Sequence, residues 1–268
     1  MPGGVSVKIS SLSNPKINEF IKLRDKVSER QKCGMFTLEG SRIVLDAINE
    51  GAELCDAFYT EEAAKKYPET VRQLEELLGK RTYIVSSDVS RKLADTITPQ
   101  GIYALAKKLD KFGKSVKIEG GGKFIVLCGL QNPGNIGTIL RCADAVGVAG
   151  VFLCGGCDLY NPKLIRATMG SIFRLKISEA DYFPLIDKLK TSGVYTYAAV
   201  VEKSAQSLRN VVFPKNCAVV IGNEGNGLSP EESDVCDKKI TIKMSGSIES
   251  LNAATAASII LWELTKED

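Results

Sequence analysis

The amino-acid sequence predicts an α/β protein of two domains, a smaller one over residues 1–116 and a larger one over residues 117–268. Strand and helix patterns alternate through the first half, which is typical of a small α/β domain. A segment at 107–122 that carries several Lys, an Asp and four Gly interrupts the pattern and predicts a linker. The alternation of strands and helices resumes with the apolar run at 124–128, and such continuous runs are typical of strands buried in parallel sheets.

In the first domain, Asn14 and Pro15 predict the cap and first turn of a helix that carries an apolar face through about Ser28. The other elements predicted here are strands at 35–39, 54–59, 82–85 and 101–106, and helices at 41–49 and 70–78.

In the second domain, the patterns predict strands at 124–128, 151–154, 195–201, 218–221 and 239–242, and helices at 137–146, 184–192, 230–236 and 249–264. Ser229, Pro230 and Glu232 combine an N-cap, a proline at the first helical position and the glutamate of a capping box. Five strands with helices between them predict a parallel sheet that binds ligands at the carboxyl ends of its strands.

The composition excludes several classes of protein. Apolar residues make up 44% and charged residues 25%, which is typical of a globular chain and not of disordered, collagen-like or coiled-coil sequences. The chain has no histidine, which excludes Ser-His-Asp and Cys-His hydrolases and His-ligated metalloenzymes. Among the eight cysteines, Cys154 and Cys157 form the single C-x-x-C, and no further ligands nearby support a metal site.

Two further features bear on where the protein works. The amino terminus has no apolar core of a signal peptide. The longest nearly apolar stretch, residues 253–262, is about half of the ~20 residues that cross a bilayer. We therefore expect a cytoplasmic protein with no membrane partner.

The net charge of +3 is small, but its distribution is uneven. Residues 1–32 hold seven basic and three acidic side chains, and a basic amino-terminal patch is what a phosphate backbone would select. A solvated helix surface is the alternative that the sequence leaves open. The basic residues are Lys8, Lys16, Lys22, Arg24, Lys26, Arg30 and Lys32.

Three loops rich in Gly, Asn and Ser follow predicted strands, at residues 131–138, 222–228 and 244–252. Glycines let backbone groups approach a ligand closely, and helix N-termini supply further donors. A P-loop is excluded because Lys108 stands where the first glycine is required, and no G-x-G-x-x-G fingerprint of a dinucleotide site is present. Three such loops in one domain indicate a binding site more strongly than ordinary turns.

These loops resemble, in order, the three motifs of the SpoU (TrmH-type) RNA 2′-O-ribose methyltransferases of the SPOUT superfamily. The motifs lie at 132–141, 221–228 and 244–252, and residues 161–173 resemble a segment between the first two. The stretch around residues 36–42 resembles a ribosomal-protein-like substrate-binding domain often fused ahead of the catalytic one. Lys243 and Thr168 depart from the common Pro and Ser, with little effect expected.

The resemblance implies a trefoil-knotted, parallel-sheet α/β SPOUT domain preceded by a smaller α/β RNA-binding domain. It also implies S-adenosyl-L-methionine as cofactor, no metal, and a homodimer formed through the C-terminal domain. The implied cofactor-binding residues are Ile221, Gly222, Asn223, Gly225, Ile242, Met244, Ser250 and Leu251. The implied catalytic residues are Asn135, Arg141, Glu224, Ser250 and Asn252.

Arg141 is the residue that the resemblance marks as catalytic. A guanidinium has a pKa of about 12.5 or higher, so a phosphate clamp that lowers the pKa of the 2′-hydroxyl is favoured over a general base. Glu224 is expected to orient Arg141 or to accept the proton. Asn135, Ser250 and Asn252 are expected to orient the nucleotide or the arginine.

The expected function is therefore S-adenosylmethionine-dependent methylation of a ribose 2′-hydroxyl in RNA. The basic extra domain favours ribosomal RNA over transfer RNA. A tRNA 2′-O-methyltransferase and a catalytically silent RNA-binding protein on the same fold remain open. A nucleotide-dependent oxidoreductase is disfavoured because the glycine fingerprint is absent.

Overall fold

The computed structural model describes residues 7–109, 116–118 and 121–266. Contacts divide the chain into two units, the first formed by residues 1–109 with 158–173 and the second by residues 110–157 with 174–268. Of the linker predicted at 107–122, residues 110–115 and 119–120 lie outside the described residues. The first unit therefore includes residues 158–173, whereas the division predicted from the sequence places them in the larger domain, residues 117–268. The domain boundary at residue 116 stays a prediction.

The elements of residues 7–109 follow the predicted alternation. In chain order they are β1 (Val7–Ile9), α1 (Pro15–Asp25), α2 (Val27–Cys33), β2 (Met35–Glu39), α3 (Ser41–Asn49), β3 (Leu54–Tyr59), α4 (Glu61–Lys66), α5 (Pro68–Leu78), β4 (Thr82–Val85), α6 (Ser87–Leu93) and β5 (Ile102–Lys107).

The elements of residues 121–266 continue the alternation. They are β6 (Lys123–Cys128), α7 (Pro133–Val146), β7 (Gly150–Cys154), α8 (Pro162–Ala167), α9 (Ser171–Arg174), β8 (Ile177–Glu179), α10 (Tyr182–Thr191), β9 (Tyr195–Ala199), β10 (Gln206–Ser207), β11 (Cys217–Ile221), α11 (Pro230–Asp234), β12 (Lys238–Thr241) and α12 (Ala253–Thr265).

The sheet of the first unit has the strand order β1-β4-β3-β5-β2. β5 pairs antiparallel with both β2 and β3, whereas β1, β4 and β3 run parallel. Phe20 of α1 packs edge-on against Phe58 and Tyr103 of the sheet, with ring centroids 5.8 and 5.9 Å apart. Edge-to-face contacts of this kind add to the burial of apolar area that holds α1 on the sheet.

The sheet of the second unit contains seven parallel strands in the order β10-β12-β9-β11-β6-β7-β8. The central strand β11 is buried along its whole length, as its continuous apolar run predicted. The five predicted strands are confirmed, and the short edge strands β8 and β10 were not predicted. Because all strands run parallel, the loops that follow them emerge at one edge of the sheet.

Two capped helices carry the residues beside that edge. Asn132 caps α7 by accepting hydrogen bonds from the backbone of Gly134 and Asn135. Asn252 caps α12 in the same way, with Ala254 and Thr255 as donors. The two helices pack together, and Cys142 of α7 lies 3.2 Å from the hydroxyl of Ser258 of α12. Capping by a short amide satisfies the first free N–H groups of a helix, which fixes where each helix begins.

Several element predictions were wrong in detail. The first helix ends at Asp25, because Lys26 is extended and a second helix begins at Val27. The last helix begins at Ala253 and not at 249, because Asn252 is its cap. The short elements β1, α4, α6, α8 and α9 were not predicted at all, since three to seven residues carry too little periodicity to detect.

The basic amino-terminal patch is much reduced in the structure. The Arg30 side chain is 2% exposed and forms an ion pair with Asp158 at 2.7 Å. Lys16 pairs with Asp56, Arg24 with Asp25 and Lys8 with Glu61. Four of the seven cations are thus paired with carboxylates of this chain. Within the described residues, the remaining three are exposed without an ion pair: Lys22, Lys26 and Lys32.

The cysteines form neither a metal site nor a disulfide in the part of the chain that is described. None of the eight is bonded in a disulfide, and no group of three metal-ligating side chains is present among those residues. Burial raises the pKa of Cys128, Cys154 and Cys217 to about 12, so these thiols stay protonated. Of the described helices, none combines the length and apolarity needed to cross a bilayer.

Candidate functional site

The three glycine- and asparagine-rich loops lie at the carboxyl edge of the seven-stranded sheet. Loop 1 (residues 129–132) follows β6, loop 2 (residues 222–229) follows β11, and loop 3 (residues 242–252) follows β12. β6 and β11 are neighbours, and β9 separates β11 from β12. The topology therefore brings loop 1 beside loops 2 and 3, which follow it by about 90 to 120 residues in sequence.

Glu224 of loop 2 binds the backbone of loop 1 through hydrogen bonds. Its two carboxylate oxygens accept hydrogen bonds from the backbone N–H groups of Gln131 at 3.0 Å and Asn132 at 2.9 Å. The Asn135 side-chain amide donates a third, at 3.2 Å. Three donors directed at one carboxylate favour its charged form, so this contact is a charge-assisted clasp between the two loops.

These donors also set the protonation of Glu224. Partial burial is the largest single influence and raises the pKa, but the N–H donors of Gln131 and Asn132 together with Asn135 outweigh it. The pKa of Glu224 therefore lies below its usual value. A carboxylate in this state is a weak base, so a role in accepting a proton from substrate is not favoured by its surroundings.

Asn135, in the first turn of α7 directly after loop 1, connects that turn to loop 3. The Asn252 side-chain amide donates to Oδ1 of Asn135 at 3.1 Å, while Oδ1 of Asn252 caps α12. Glu224, Asn135 and Asn252 thus form a continuous chain of hydrogen bonds across all three loops. Three of the five predicted catalytic residues therefore position one another and the loops.

Loop 2 is shaped by Asn223 and by two glycines. The backbones of Asn223 and Gly227 exchange two hydrogen bonds, at 3.1 and 2.9 Å, and the Asn223 side chain donates to the carbonyl of Gly129 at 2.8 Å. A Cβ on Gly222 would lie 2.4 Å from the Gly227 carbonyl carbon and 2.5 Å from the Leu228 nitrogen. Glycine is required at 222 because backbone, and not a movable side chain, occupies that space.

A cavity of about 440 Å³ opens between loops 2 and 3, and we call it the loop cavity. Every predicted cofactor-binding residue lines it: Ile221, Gly222, Asn223, Gly225, Ile242, Met244, Ser250 and Leu251. Its volume lies in the range of roughly 300–1,000 Å³ that is typical of small-molecule sites. Of the predicted catalytic residues, Glu224 and Ser250 also line it, whereas Asn135, Arg141 and Asn252 do not.

The end of β9 was not predicted to contribute to the site. Residues 199–202, Leu208 and Glu249 line the loop cavity as well. Because Val200 and Val201 are apolar, the sequence reads as a strand to residue 201, and no Gly or Asn signals a binding loop. The position of β9 between β11 and β12 is the signal that identifies it, and only the topology supplies that order.

Arg141 lies away from the clasp. It is exposed on α7 more than one helical turn beyond Asn135, whose side chain contacts Glu224 and Asn252. Within the described residues it has no hydrogen-bond or ion-pair partner, and the Glu224 carboxylate contacts loop 1 instead. Among the described residues no hydrogen bond joins Arg141 to Glu224, Asn135 or Asn252, and the expected orientation of Arg141 stays a prediction.

Comparison with known sequences identifies two matching families. The family described as "SpoU rRNA Methylase family" matches residues 122–262, which include all three loops. The family described as "MRM3-like substrate binding domain" matches residues 14–104, which include most of the first unit.

Similar proteins match over nearly the whole chain. A protein of Synechocystis sp. named as an uncharacterized tRNA/rRNA methyltransferase is 31% identical, over 97% of this chain and 93% of its own. The 23S rRNA (guanosine(2553)-2′-O)-methyltransferase RlmP of Bacillus subtilis is 29% identical, over 96% and 98%. The crystal structure of an AdoMet-bound rRNA methyltransferase from Sinorhizobium meliloti superposes with a TM-score of 0.82 at 26% identity, covering 96% of each chain.

Proposed function

This chain belongs to the SpoU rRNA methylase family, and from that premise we propose that it transfers a methyl group from S-adenosylmethionine to a ribose 2′-hydroxyl of RNA, with ribosomal RNA as the substrate. The observation that carries the proposal is the loop cavity, which gathers all eight predicted cofactor-binding residues at the carboxyl edge of the sheet. The two matched families together supply a catalytic domain and a substrate-binding domain.

The residues that line the loop cavity fit S-adenosylmethionine. Leu208, Ile221 and Leu251 give apolar walls suited to a flat heterocycle, and the glycines of loop 2 leave backbone groups accessible for its polar edge. Three carboxylates also line the cavity: Glu202, Glu224 and Glu249. Negative charge at this position favours a ligand with a positive sulfonium and ammonium group.

When bound, S-adenosylmethionine supplies a methyl group on a positively charged sulfur, so no metal and no protein nucleophile is required. The work of the chain is then to hold that group and the 2′-hydroxyl in line. Positioning of this kind contributes roughly 7–11 kcal/mol to catalysis. The chain of hydrogen bonds through Glu224, Asn135 and Asn252 fixes the three loops relative to one another, which preorganises the cavity.

We assign to Arg141 the binding of the RNA phosphate next to the reacting ribose. The guanidinium is exposed and has no partner among the described residues, so it is available to an anion. A bidentate contact with phosphate would draw the 2′-hydroxyl into place and stabilise its developing negative charge. Since Arg141 does not line the loop cavity, the RNA must extend from the cavity to the exposed face of α7.

Ribosomal RNA is supported as the substrate by the Bacillus subtilis relative, which is named for 23S rRNA, and by the match to a substrate-binding domain. The exposed cations Lys22, Lys26 and Lys32 are available for phosphates, whereas the other four predicted cations are paired with carboxylates.

A homodimer through the C-terminal domain is supported by the outer face of α12. Ile259 is 39% exposed and Trp262 is 67% exposed, and with Thr255 they lie on one side of the helix. Tryptophan is enriched among the residues that contribute most to binding at interfaces, so this exposed pair is a suitable contact between two copies. The trefoil knot and a cytoplasmic location stay predictions.

Methyl transfer to defined RNAs tests the proposed function. The purified chain is incubated with radiolabelled S-adenosylmethionine and transcribed 23S rRNA or total tRNA, and the digested nucleosides are separated. We expect label in one 2′-O-methylnucleoside from the rRNA. Label in tRNA alone would reassign the substrate, and binding of rRNA without any transfer would indicate the catalytically silent alternative.

A further inference from the structure

The segment from Cys154 to Cys157, which is the single C-x-x-C of the sequence, lies beside loop 1. Its strand, β7, is the neighbour of β6 in the sheet, and their last residues, Cys154 and Cys128, are paired in register. The two parallel strands therefore end at the same level, and the turn after β7 leaves the sheet next to loop 1. We call residues 155–157 the β7 turn.

Backbone contacts join loop 1 to β7 and the β7 turn. The N–H group of Gly129 donates to the carbonyl of Cys154, and the N–H group of Cys157 donates to the carbonyl of Leu130, each at 2.9 Å. A Cβ on Gly156 would lie 2.2 Å from that same oxygen of Leu130 and 3.1 Å from the Leu130 nitrogen. The backbone of Leu130 thus occupies the space that a side chain at 156 would need, and backbone cannot rotate away.

Loop 2 holds the other side of loop 1. The Asn223 side chain donates to the carbonyl of Gly129 at 2.8 Å, and Glu224 accepts from the N–H groups of Gln131 and Asn132. Loop 1 is therefore fixed from both sides over four consecutive residues. Its position also sets where α7 starts, because Asn132, its last residue, is the cap of that helix.

α7 connects the position of loop 1 to the reaction. Asn135, in its first turn, hydrogen-bonds to Glu224 and Asn252, and Arg141, to which we assign the RNA phosphate, lies further along the same helix. The described residues that line the loop cavity include none from loop 1, the β7 turn or α7. We therefore expect the β7 turn to influence the placement of RNA more than the binding of S-adenosylmethionine.

We propose that Gly156 is a positioning residue for methyl transfer. Because it lacks a side chain, the β7 turn lies directly against Leu130 and holds loop 1 where Asn135 contacts the two other loops. The proposal rests on the proposed function for the reaction that is positioned. It gives the C-x-x-C segment a role that its backbone performs and its thiols do not.

Gly156→Ala in the full chain tests the proposal. Its Cβ would stand 2.2 Å from the oxygen of Leu130, where ordinary contacts are about 3.5–4.0 Å, so loop 1 must move by about 1 Å or more. A displacement of this size lowers turnover about a hundredfold. With radiolabelled S-adenosylmethionine and transcribed 23S rRNA, we expect that loss in kcat. KM for the rRNA and Kd for S-adenosylmethionine should change by less than about threefold.

Gly155→Ala is the matched control. Gly155 also has a positive φ, 68° against 96° for Gly156, but a Cβ there would meet nothing within 4 Å. Both substitutions strain the backbone and only Gly156→Ala displaces loop 1, so the control should retain kcat. Gly156→Asn is the second variant, because asparagine tolerates positive φ better than alanine while its Cβ meets the same oxygen.

Two kinetic outcomes would overturn the proposal. One is a kcat for Gly156→Ala equal to that of Gly155→Ala, because the contact with Leu130 would then have no bearing on turnover. The other is an equal loss of kcat and of affinity for S-adenosylmethionine, because the substitution would then act on the loop cavity.

Hydrogen exchange followed by mass spectrometry gives a readout that does not depend on activity. In the unsubstituted chain, the N–H groups of Gly129, Gln131, Asn132 and Cys157 all donate hydrogen bonds and should exchange slowly. In Gly156→Ala, exchange should be faster over loop 1 and the β7 turn and unchanged in α10. Fast exchange of these groups in the unsubstituted chain would overturn the proposal even where neither variant folds.

The two readouts separate this inference from the proposed function. If the unsubstituted chain transfers no methyl group, while exchange over loop 1 is faster in Gly156→Ala than in Gly155→Ala, the proposed function is rejected and the contact with loop 1 is not. If the unsubstituted chain and Gly156→Ala transfer methyl groups at the same rate, the positioning role alone is rejected.

Discussion

Replacing Gly222 with Ala tests how the loop cavity is built. The added Cβ would lie 2.4 to 2.6 Å from three backbone atoms of Gly227 and Leu228. Ordinary contacts between carbon atoms are about 3.5–4.0 Å, so loop 2 must move by about 1 Å. It cannot do so without disturbing the paired backbones of Asn223 and Gly227.

The expected cost follows from this displacement. Overpacking against backbone costs about 1–3 kcal/mol of unfolding free energy, which lowers the melting temperature of a chain of this size by several degrees, at about 2–4 °C per kcal/mol. Because loop 2 forms one wall of the loop cavity, affinity for S-adenosylmethionine should fall about tenfold or more.

Thermal unfolding and titration calorimetry measure both effects. Gly246→Ala is the matched control, since a Cβ there would meet nothing within 4 Å and the residue lies in loop 3 without lining the cavity. The control should match the unsubstituted chain in both measurements. If Gly222→Ala behaves like Gly246→Ala, the close approach of Gly222 to the backbone of Gly227 and Leu228 does not shape the site.

Three further predictions follow from the clasp, α7 and α12. Hydrogen bonds lower the pKa of Glu224 in the folded state, so its charged carboxylate stabilises the fold at pH values above the unfolded pKa of about 4.3. That stabilisation is lost as the pH falls through the lower pKa of the folded state. Glu224→Gln should therefore be less stable than the unsubstituted chain at pH 7, with the difference shrinking below about pH 4 in chemical denaturation; a constant difference would contradict this assignment. Arg141→Ala should lower methyl transfer about a hundredfold or more with unchanged affinity for S-adenosylmethionine, and unimpaired turnover in a radiolabel assay would remove it from the mechanism. Trp262→Glu should convert a dimer to a monomer in light scattering, and an unchanged mass would place the interface elsewhere.

Much of the fold could be predicted because the buried strands and helix faces appear in the sequence as apolar runs and periodic apolar residues. Strands such as residues 35–39 and 54–59 have the predicted bounds, and the buried central strands of the second sheet were found as apolar runs. The edge strands β8 and β10 were not found, since three and two residues give no pattern. What the sequence could not provide was the strand order, which places β9 at the site.

The eight residues predicted to bind the cofactor line one cavity, whereas the hydrogen bonds that join the loops could not be predicted from the sequence. Glycines and short amides of loops 2 and 3 marked the cavity residues, because close backbone approach requires them. The sequence could not show that Glu224 is used to bind the backbone of loop 1, nor that Arg30 is buried against Asp158. Both depend on contacts between distant segments, for which local patterns carry no information.

A crystal structure of the chain with S-adenosylhomocysteine would show where the product of the methyl donor binds. We expect electron density for the product in the loop cavity, in contact with Gly222, Met244 and Leu251, with the clasp at Glu224 intact. Density for the product at any other place on the chain, with the loop cavity filled only by water, would contradict it.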